Sequence, residues 1–104
     1  MKFTVEYSKA AILDLDRVWD EIFMASKSQE TTLNYIDGIM DRVEKIADFP
    51  RSGSPLYYEN SFTGYYFVLF KSYMAFYRLE GTVLYADRVL YAKSDTMRIL
   101  FPYT

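Results

Sequence analysis

The sequence contains no cysteine and no histidine among its 104 residues. Without cysteine, the chain can form neither a disulfide framework nor a thiolate metal site. Without histidine, it lacks the commonest general base near neutral pH and the commonest metal ligand. A catalytic zinc site would have to be built from carboxylates alone, which is unusual. We therefore expect no metal and no cofactor.

Long apolar runs are also missing. No run approaches the roughly 20 residues that a membrane helix needs. The first residues, MKFTVEYSK, carry charge throughout and lack the apolar core of a signal peptide. These absences predict a cytoplasmic protein that does not associate with membranes. The length favours one domain over residues 1–104, and a hydrophobic content of 51% argues against disorder.

Charge is distributed unevenly along the chain. Residues 1–60 hold 7 cations and 11 acids, a net of −4, whereas residues 61–104 hold 5 cations and 3 acids, a net of +2. A nucleic-acid-binding protein of this size is usually plainly basic. The overall charge of −2 therefore argues against tight, stand-alone binding to RNA or DNA.

Helical patterns fill the acidic half, after a short alternating strand at residues 2–7. Ser8 is a good N-cap for a first helix that ends near residues 25–27. Asp14 is assigned, with three other acids, to the polar face of this helix. Ser28 or Thr31 can cap a second helix, which stops before Pro50. The short gap between the two helices makes them antiparallel neighbours.

Strand patterns fill the basic half. After an irregular stretch at residues 51–63, strands are predicted at residues 65–70, 72–79 and 83–91, joined by tight turns at residues 71–72 and 80–82. The strand aromatics are interpreted as packing residues, with base stacking as the alternative. The order is β-α-α-β-β-β. The predicted fold class is α+β, with an N-terminal antiparallel helix hairpin packed on an antiparallel sheet whose edge accepts the first strand.

Four stretches, in this order and spacing, carry a resemblance to a known family: YSKAAILDLDRVWDEI (residues 7–22), IADFPRSGSPL (residues 46–56), SYMAFYRLEGTVLY (residues 72–85) and RVLYAKSDTMRILF (residues 88–101). The chain resembles the RelE/ParE superfamily of toxins from type II toxin–antitoxin systems. The resemblance implies a cytoplasmic toxin that a cognate antitoxin holds inactive. Some relatives cut messenger RNA in the ribosome without a metal, and others poison DNA gyrase, so the fold leaves the activity open.

The resemblance also points to the end of the last strand as the working edge. Cleavage of RNA needs a base for the ribose 2′-OH and cations for the phosphate. The candidate catalytic residues are Tyr91, Arg88, Lys93 and Arg98. Lys71 and Arg78, on or near the sheet, are candidates for binding substrate or a partner, and the basic half suits an acidic antitoxin segment.

The chain departs from the RNA-cutting relatives at two positions where they often carry arginine. Tyr66 stands at one of them, and Lys93 with Ser94 stands at the other. Three functions therefore stay open: a ribosome-dependent mRNA endonuclease, a gyrase poison that acts by binding, and a non-toxic relative that only binds antitoxin. The alternative for the strand end is structural, with Arg88 in an ion pair across the sheet and Asp95 capping a short turn.

Overall fold

The computed structural model describes residues 2–102. Its elements are β1 (Thr4–Tyr7), α1 (Lys9–Ser26), α2 (Gln29–Ile46), a 3₁₀ turn (Pro50–Ser52), β2 (Ser54–Tyr58), β3 (Ser61–Phe70), β4 (Tyr73–Glu80), β5 (Val83–Tyr91) and α3 (Thr96–Leu100). The predicted α+β class and the helix hairpin are confirmed. The prediction of an irregular stretch at residues 51–63 was wrong, because that stretch contains the 3₁₀ turn, β2 and the start of β3.

The five strands form one sheet in the order β1-β5-β4-β3-β2. Strands β2 to β5 pair antiparallel, as the short turns between them dictate. The first strand lies at the edge beside β5, as expected, but it runs parallel to β5, with Thr4 opposite Val83 and Tyr7 opposite Ala86. The sheet is therefore antiparallel except for this one pair.

The two long helices begin at hydroxyl caps. The Ser8 Oγ accepts the N–H of Ala11 at 3.0 Å, and the Ser28 Oγ accepts the N–H of Thr31 at 3.1 Å. Helix α1 ends at Lys27, which adopts a left-handed conformation with φ of 56°. Each cap satisfies backbone groups that a helix end leaves open. The hairpin connection therefore needs only two residues.

The core lies between the hairpin and the sheet. Val18 of α1 and Val43 of α2 pack with β4 and β5 residues such as Tyr77 and Leu84, all fully buried. The Tyr77 hydroxyl donates to the carbonyl of Pro50 at 2.6 Å, which fastens the 3₁₀ turn to the sheet. The other face of the sheet carries the C-terminal segment, where the Phe101 ring lies 6.2 Å from that of Tyr65.

Candidate functional site at the end of the last strand

The outer edge of β5 changes its neighbour half-way along the strand. Residues 83–86 pair with β1, but β1 ends at Tyr7, and α1 lies beside the rest of β5. Side chains then replace the missing strand. The Ser8 hydroxyl donates to the carbonyl of Asp87 at 2.8 Å, the Asp14 carboxylate accepts the N–H of Val89 at 2.9 Å, and Arg17 donates to the Val89 carbonyl at 3.0 Å. The backbone groups of residues 87–89 that face α1 are thereby satisfied.

Asp14 is the centre of this region. Its side chain accepts two hydrogen bonds from Arg88, at 2.7 Å from Nε and 3.0 Å from Nη2, and one from Arg17 at 2.9 Å. The residue is only 3% exposed. Burial opposes ionisation, but the hydrogen bonds from Arg88, the Val89 N–H and Arg17 outweigh it and hold the pKa of Asp14 below its usual value. The hydrogen bond to Asp14 also raises the pKa of Arg88, although burial acts in the opposite direction.

The assignment of Asp14 to the polar face of α1 was therefore wrong. The signal was present in the sequence, because Asp14 lies three residues after Ala11 and four before Val18, both fully buried. That spacing places all three side chains on one face of a helix. A carboxylate on a buried face needs a cation or donors nearby, and Arg88 and the β5 backbone supply them.

Arg78 occupies a second ion-pair cluster, on β4. Its Nε lies 2.7 Å from Asp87, it also pairs with Glu80, and its guanidinium lies 4.5 Å from the centre of the Tyr85 ring. The Tyr65 hydroxyl donates to the same oxygen of Asp87 at 3.0 Å. Burial, followed by this bond to Asp87, raises the pKa of Tyr65. Arg78 is thus neutralised by two carboxylates, one of which, Asp87, lies across the sheet on β5.

Tyr91 is the last residue of β5 and is 38% exposed. Its ring lies 5.8 Å from that of Tyr73, whose hydroxyl donates to Glu21 at 3.3 Å. Burial, followed by the negative charge of Glu21, raises the pKa of Tyr73 to about 12. Tyr91 therefore presents a partly exposed ring beside a neutral phenol.

Lys93 and Arg98 follow the strand. Lys93 is exposed and takes part in no ion pair within residues 2–102. Asp95 caps α3 by accepting the N–H of Arg98 at 3.3 Å, so the expectation that Asp95 caps a short turn is confirmed. The Arg98 side chain is 84% exposed, and its Nε lies 3.8 Å from Asp95. Arg98 also lines an open cavity of 620 Å³ with Tyr58 and Phe101.

Lys71 lies at the same end of the sheet, in the turn between β3 and β4, where it adopts a φ of 51°. The next residue of this turn, Ser72, accepts the N–H of Ala92 at 2.7 Å. Its ammonium group is 5.4 Å from the centre of the Tyr35 ring and 5.8 Å from that of Phe70. These residues line a 270 Å³ cavity together with Thr31 and Asn34 of α2. Lys71 is an exposed cation above two aromatic rings, which suits contact with an acidic group.

No hydrogen bond, ion pair or ring contact joins any two of Tyr91, Arg88, Lys93 and Arg98 in residues 2–102. Arg88 points to α1, whereas Arg98 belongs to α3. Over the same residues, no group of acidic side chains has the arrangement of a metal site. Within the described part of the chain, no helix is both long enough and apolar enough to span a membrane. The strand end therefore offers one half-exposed phenol and two exposed cations.

The comparisons with known proteins agree with this architecture. A chromosomal ParDE toxin–antitoxin system from P. aeruginosa contains a chain of similar structure, with a TM-score of 0.72, 17% identity, and coverage of 88% of this chain and 98% of that one. The toxin–antitoxin complex RelBE2 from Mycobacterium tuberculosis contains another, with a TM-score of 0.56, 22% identity, and coverage of 88% and 99%. No curated protein sequence matches the chain significantly.

The helix hairpin, the five-stranded sheet and the C-terminal segment thus make up the α+β fold that these two structures share. The sequence model of one family, described as the ParE toxin of the type II toxin–antitoxin system parDE, matches residues 5–96. The chain belongs to this family of toxins. The predicted membership of the RelE/ParE superfamily is confirmed.

Proposed function

We propose that this toxin acts by binding its target protein, as a DNA gyrase poison does, and that it does not cleave RNA with the residues of β5. The observation that carries the proposal is the bidentate ion pair between Arg88 and the buried Asp14. A guanidinium whose charge and donors are held by a buried carboxylate is a poor clamp for a phosphate, since binding would have to break that pair. Membership of the ParE family supports the same conclusion.

Arg78 supports a binding role in the same way, because it is paired with Asp87 and Glu80. Arg98 does not bear on this point, because its side chain is 84% exposed and only approaches Asp95 at 3.8 Å. An endonuclease needs positive charge that can stabilise the phosphate in the transition state. One observation favours the endonuclease as a second candidate: Lys93 is exposed and lies two residues after the half-exposed Tyr91.

We further propose that a cognate antitoxin neutralises this toxin by direct contact. The two similar structures are a ParDE toxin–antitoxin system and a RelBE2 toxin–antitoxin complex, which supports a partner of this kind. Lys71 is the residue that we assign to an acidic antitoxin segment, because it is exposed above the rings of Tyr35 and Phe70. Arg78 is less suited to this role, because Asp87 and Glu80 already neutralise it.

The deciding experiment is induction of the toxin alone in bacteria, with growth, chromosomal DNA breaks and messenger RNA 5′ ends followed together. We expect growth arrest with DNA breaks and intact messages, and we expect Tyr91→Phe to be as toxic as the native chain. Tyr57→Phe is the control, since Tyr57 is exposed on β2, away from the strand end.

New 5′ ends at a fixed codon position that disappear in Tyr91→Phe would establish the endonuclease instead. No arrest at all would leave a chain that only binds antitoxin.

Antitoxin binding is tested separately with Lys71→Glu, which should slow association of the toxin with its antitoxin, most of all at low salt. Lys9→Glu, an exposed charge reversal on α1, should leave the association rate unchanged.

A further inference from the structure

The cavity beside Lys71 combines unpartnered donors with two aromatic rings. It has a volume of 270 Å³ and is lined by Thr31, Asn34, Tyr35, Phe70 and Lys71. Within residues 2–102, the side chains of Thr31, Asn34 and Lys71 take part in no hydrogen bond and no ion pair. The rings of Tyr35 and Phe70 meet edge to face, with 5.9 Å between their centroids. Apolar walls with a few convergent polar groups are typical of sites for small ligands.

The lysine of this cavity occupies a backbone position that usually belongs to glycine. Residues 71–72 and 81–82 form the two-residue turns that join β3 to β4 and β4 to β5. The first residue of each turn has a positive φ, 51° at Lys71 and 58° at Gly81. A side chain makes this conformation unfavourable, which is why glycine is the usual residue. Lys71 therefore strains its turn, and the same turn places its ammonium group over both rings of the cavity.

The aromatic wall of the cavity depends on a second locally unfavourable residue. Gly38 lies inside α2, where glycine weakens a helix. Its missing side chain leaves room for the Phe70 ring, which a Cβ atom at position 38 would overlap. Gly38 and Lys71 each break a local preference, and both shape the same cavity. Such exceptions are expected at functional sites.

We propose that this cavity binds a small carboxylic acid that carries an aromatic ring. The carboxylate pairs with the Lys71 ammonium group and accepts hydrogen bonds from Asn34 and Thr31. The ring packs against those of Tyr35 and Phe70.

The charge of the cavity favours a carboxylate over a phosphate. Of the five described residues that line it, Lys71 alone carries a charge. One cation balances a monoanion, whereas a phosphate monoester carries nearly two negative charges at neutral pH. The inference goes beyond the proposed function and does not depend on it, since the site needs neither an antitoxin nor a target protein.

The probe is phenylacetate, followed by NMR of the full, isotope-labelled chain. Two control compounds each remove one part of the ligand: phenylethanol keeps the ring without the charge, and acetate keeps the carboxylate without the ring. We expect saturable shifts of the Lys71 backbone amide and the Asn34 side-chain amide with phenylacetate, at a Kd of about 1 mM, as suits a compound of this size. Each control compound should bind at least about tenfold more weakly.

Substitutions in the two turns separate binding from stability. Lys71→Gly should weaken phenylacetate binding at least about tenfold. The same variant should unfold at an equal or higher urea concentration than the native chain, because glycine relieves the strain at a φ of 51°. Gly81→Lys is the matched control: it introduces that strain in the other turn, so it should lower the urea midpoint and leave the affinity for phenylacetate unchanged.

Asn34→Ala is a second variant, because Asn34 is exposed on α2 and its loss leaves the turn intact. It should weaken phenylacetate binding about threefold, as expected for one hydrogen bond to a carboxylate in an open cavity. Its urea midpoint should stay close to that of the native chain.

Three results would overturn the proposal. The first is the absence of a saturable shift with phenylacetate, or equal affinity for phenylacetate and either control compound. The second is unchanged affinity for phenylacetate in Lys71→Gly. The third is a fall in the urea midpoint of Lys71→Gly as large as that of Gly81→Lys, since Lys71 would then stabilise the fold through its contact with the rings.

Discussion

The outer edge of β5 is hydrogen-bonded in two different ways along its length. Residues 83–86 satisfy their outer backbone groups with the backbone of β1. Residues 87–89 satisfy theirs with the side chains of Ser8, Asp14 and Arg17. Both halves lie in one strand and share β4 on their other side.

The difference decides what a single substitution can do. A pairing between backbones survives most changes of side chain, because the donors and acceptors belong to the main chain. A pairing made by side chains is lost with the side chain, and the buried backbone group is left without a partner. The half of β5 next to the candidate site is therefore the half that single mutations can open.

The largest effect is expected from Asp14→Ala. The change removes the carboxylate that Arg88, Arg17 and the Val89 N–H share, and it leaves Arg88 unpaired beside the core. Removing one partner of a buried ion pair costs about 3–5 kcal/mol. Urea denaturation measures the loss in the free energy of unfolding.

Asp16→Ala is the matched control for that experiment. Asp16 is an exposed acid on the same helix and has no ion pair in residues 2–102, so its loss should change the free energy of unfolding by less than about 0.5 kcal/mol. Equal effects of the two substitutions would mean that the Asp14 pair contributes nothing beyond an ordinary surface charge.

A smaller effect is expected from Ser8→Ala. The Ser8 hydroxyl caps α1 by accepting from Ala11 and also donates to the carbonyl of Asp87. Loss of an N-cap costs about 0.5–2 kcal/mol, and loss of the second bond places the effect in the upper part of that range. Ser28→Ala on α2 removes a cap that makes no contact with β5, so it should cost less; a larger loss for Ser28→Ala would contradict the role given to the bond to Asp87.

Acidification should weaken the same half of the strand. The pKa of Asp14 is lower in the folded chain than in the unfolded chain. The folded state therefore binds fewer protons than the unfolded state, and the resulting stability is present above the unfolded pKa of about 3.9 and is lost as the pH falls through the folded pKa. Unfolding free energies measured between about pH 2 and pH 7 should fall less steeply in Asp14→Ala than in the native chain. Parallel curves would show that other carboxylates carry the acid sensitivity.

The smallest effect is expected from Glu6→Ala in β1. Glu6 lies opposite Tyr85 in the backbone-paired half, is exposed, and takes part in no ion pair in the described residues. Its removal leaves every backbone hydrogen bond in place, so the free energy of unfolding should change by less than about 0.5 kcal/mol. A loss comparable to that of Ser8→Ala would remove the distinction between the two halves of β5.

The elements of the fold were predicted correctly where single residues have a strong preference for a helix start or a turn. Ser8 and Ser28 marked the starts of the helices, and Gly81, at a φ of 58°, marked the β4–β5 turn. Strand β2 was missed because Pro55 removes an N–H donor and usually argues against a strand. In the structure β2 is an edge strand, where a proline is tolerated, and its register with β3 shifts between Pro55 and Tyr57.

The candidate site was harder to predict, because its partners are distant in sequence. Arg88 was recognised as either a phosphate ligand or a member of an ion pair across the sheet, but its partner lies on a helix 74 residues earlier. The pairing depends on α1 continuing the edge that β1 begins, which is a property of the assembled sheet. The catalytic roles of Tyr91, Arg88, Lys93 and Arg98, and the binding roles of Lys71 and Arg78, stay predictions.

The separation between Asp14 and Val89, 75 residues along the chain, has a consequence during synthesis on the ribosome. Helix α1 leaves the ribosome long before β5 exists, so its buried carboxylate has no partner and β1 has no strand to join. Contacts between distant residues form late, and the chain exposes apolar surface until then. We expect the toxin to complete its fold only after β5 has been synthesised, which leaves an interval in which an antitoxin already present can meet the emerging chain.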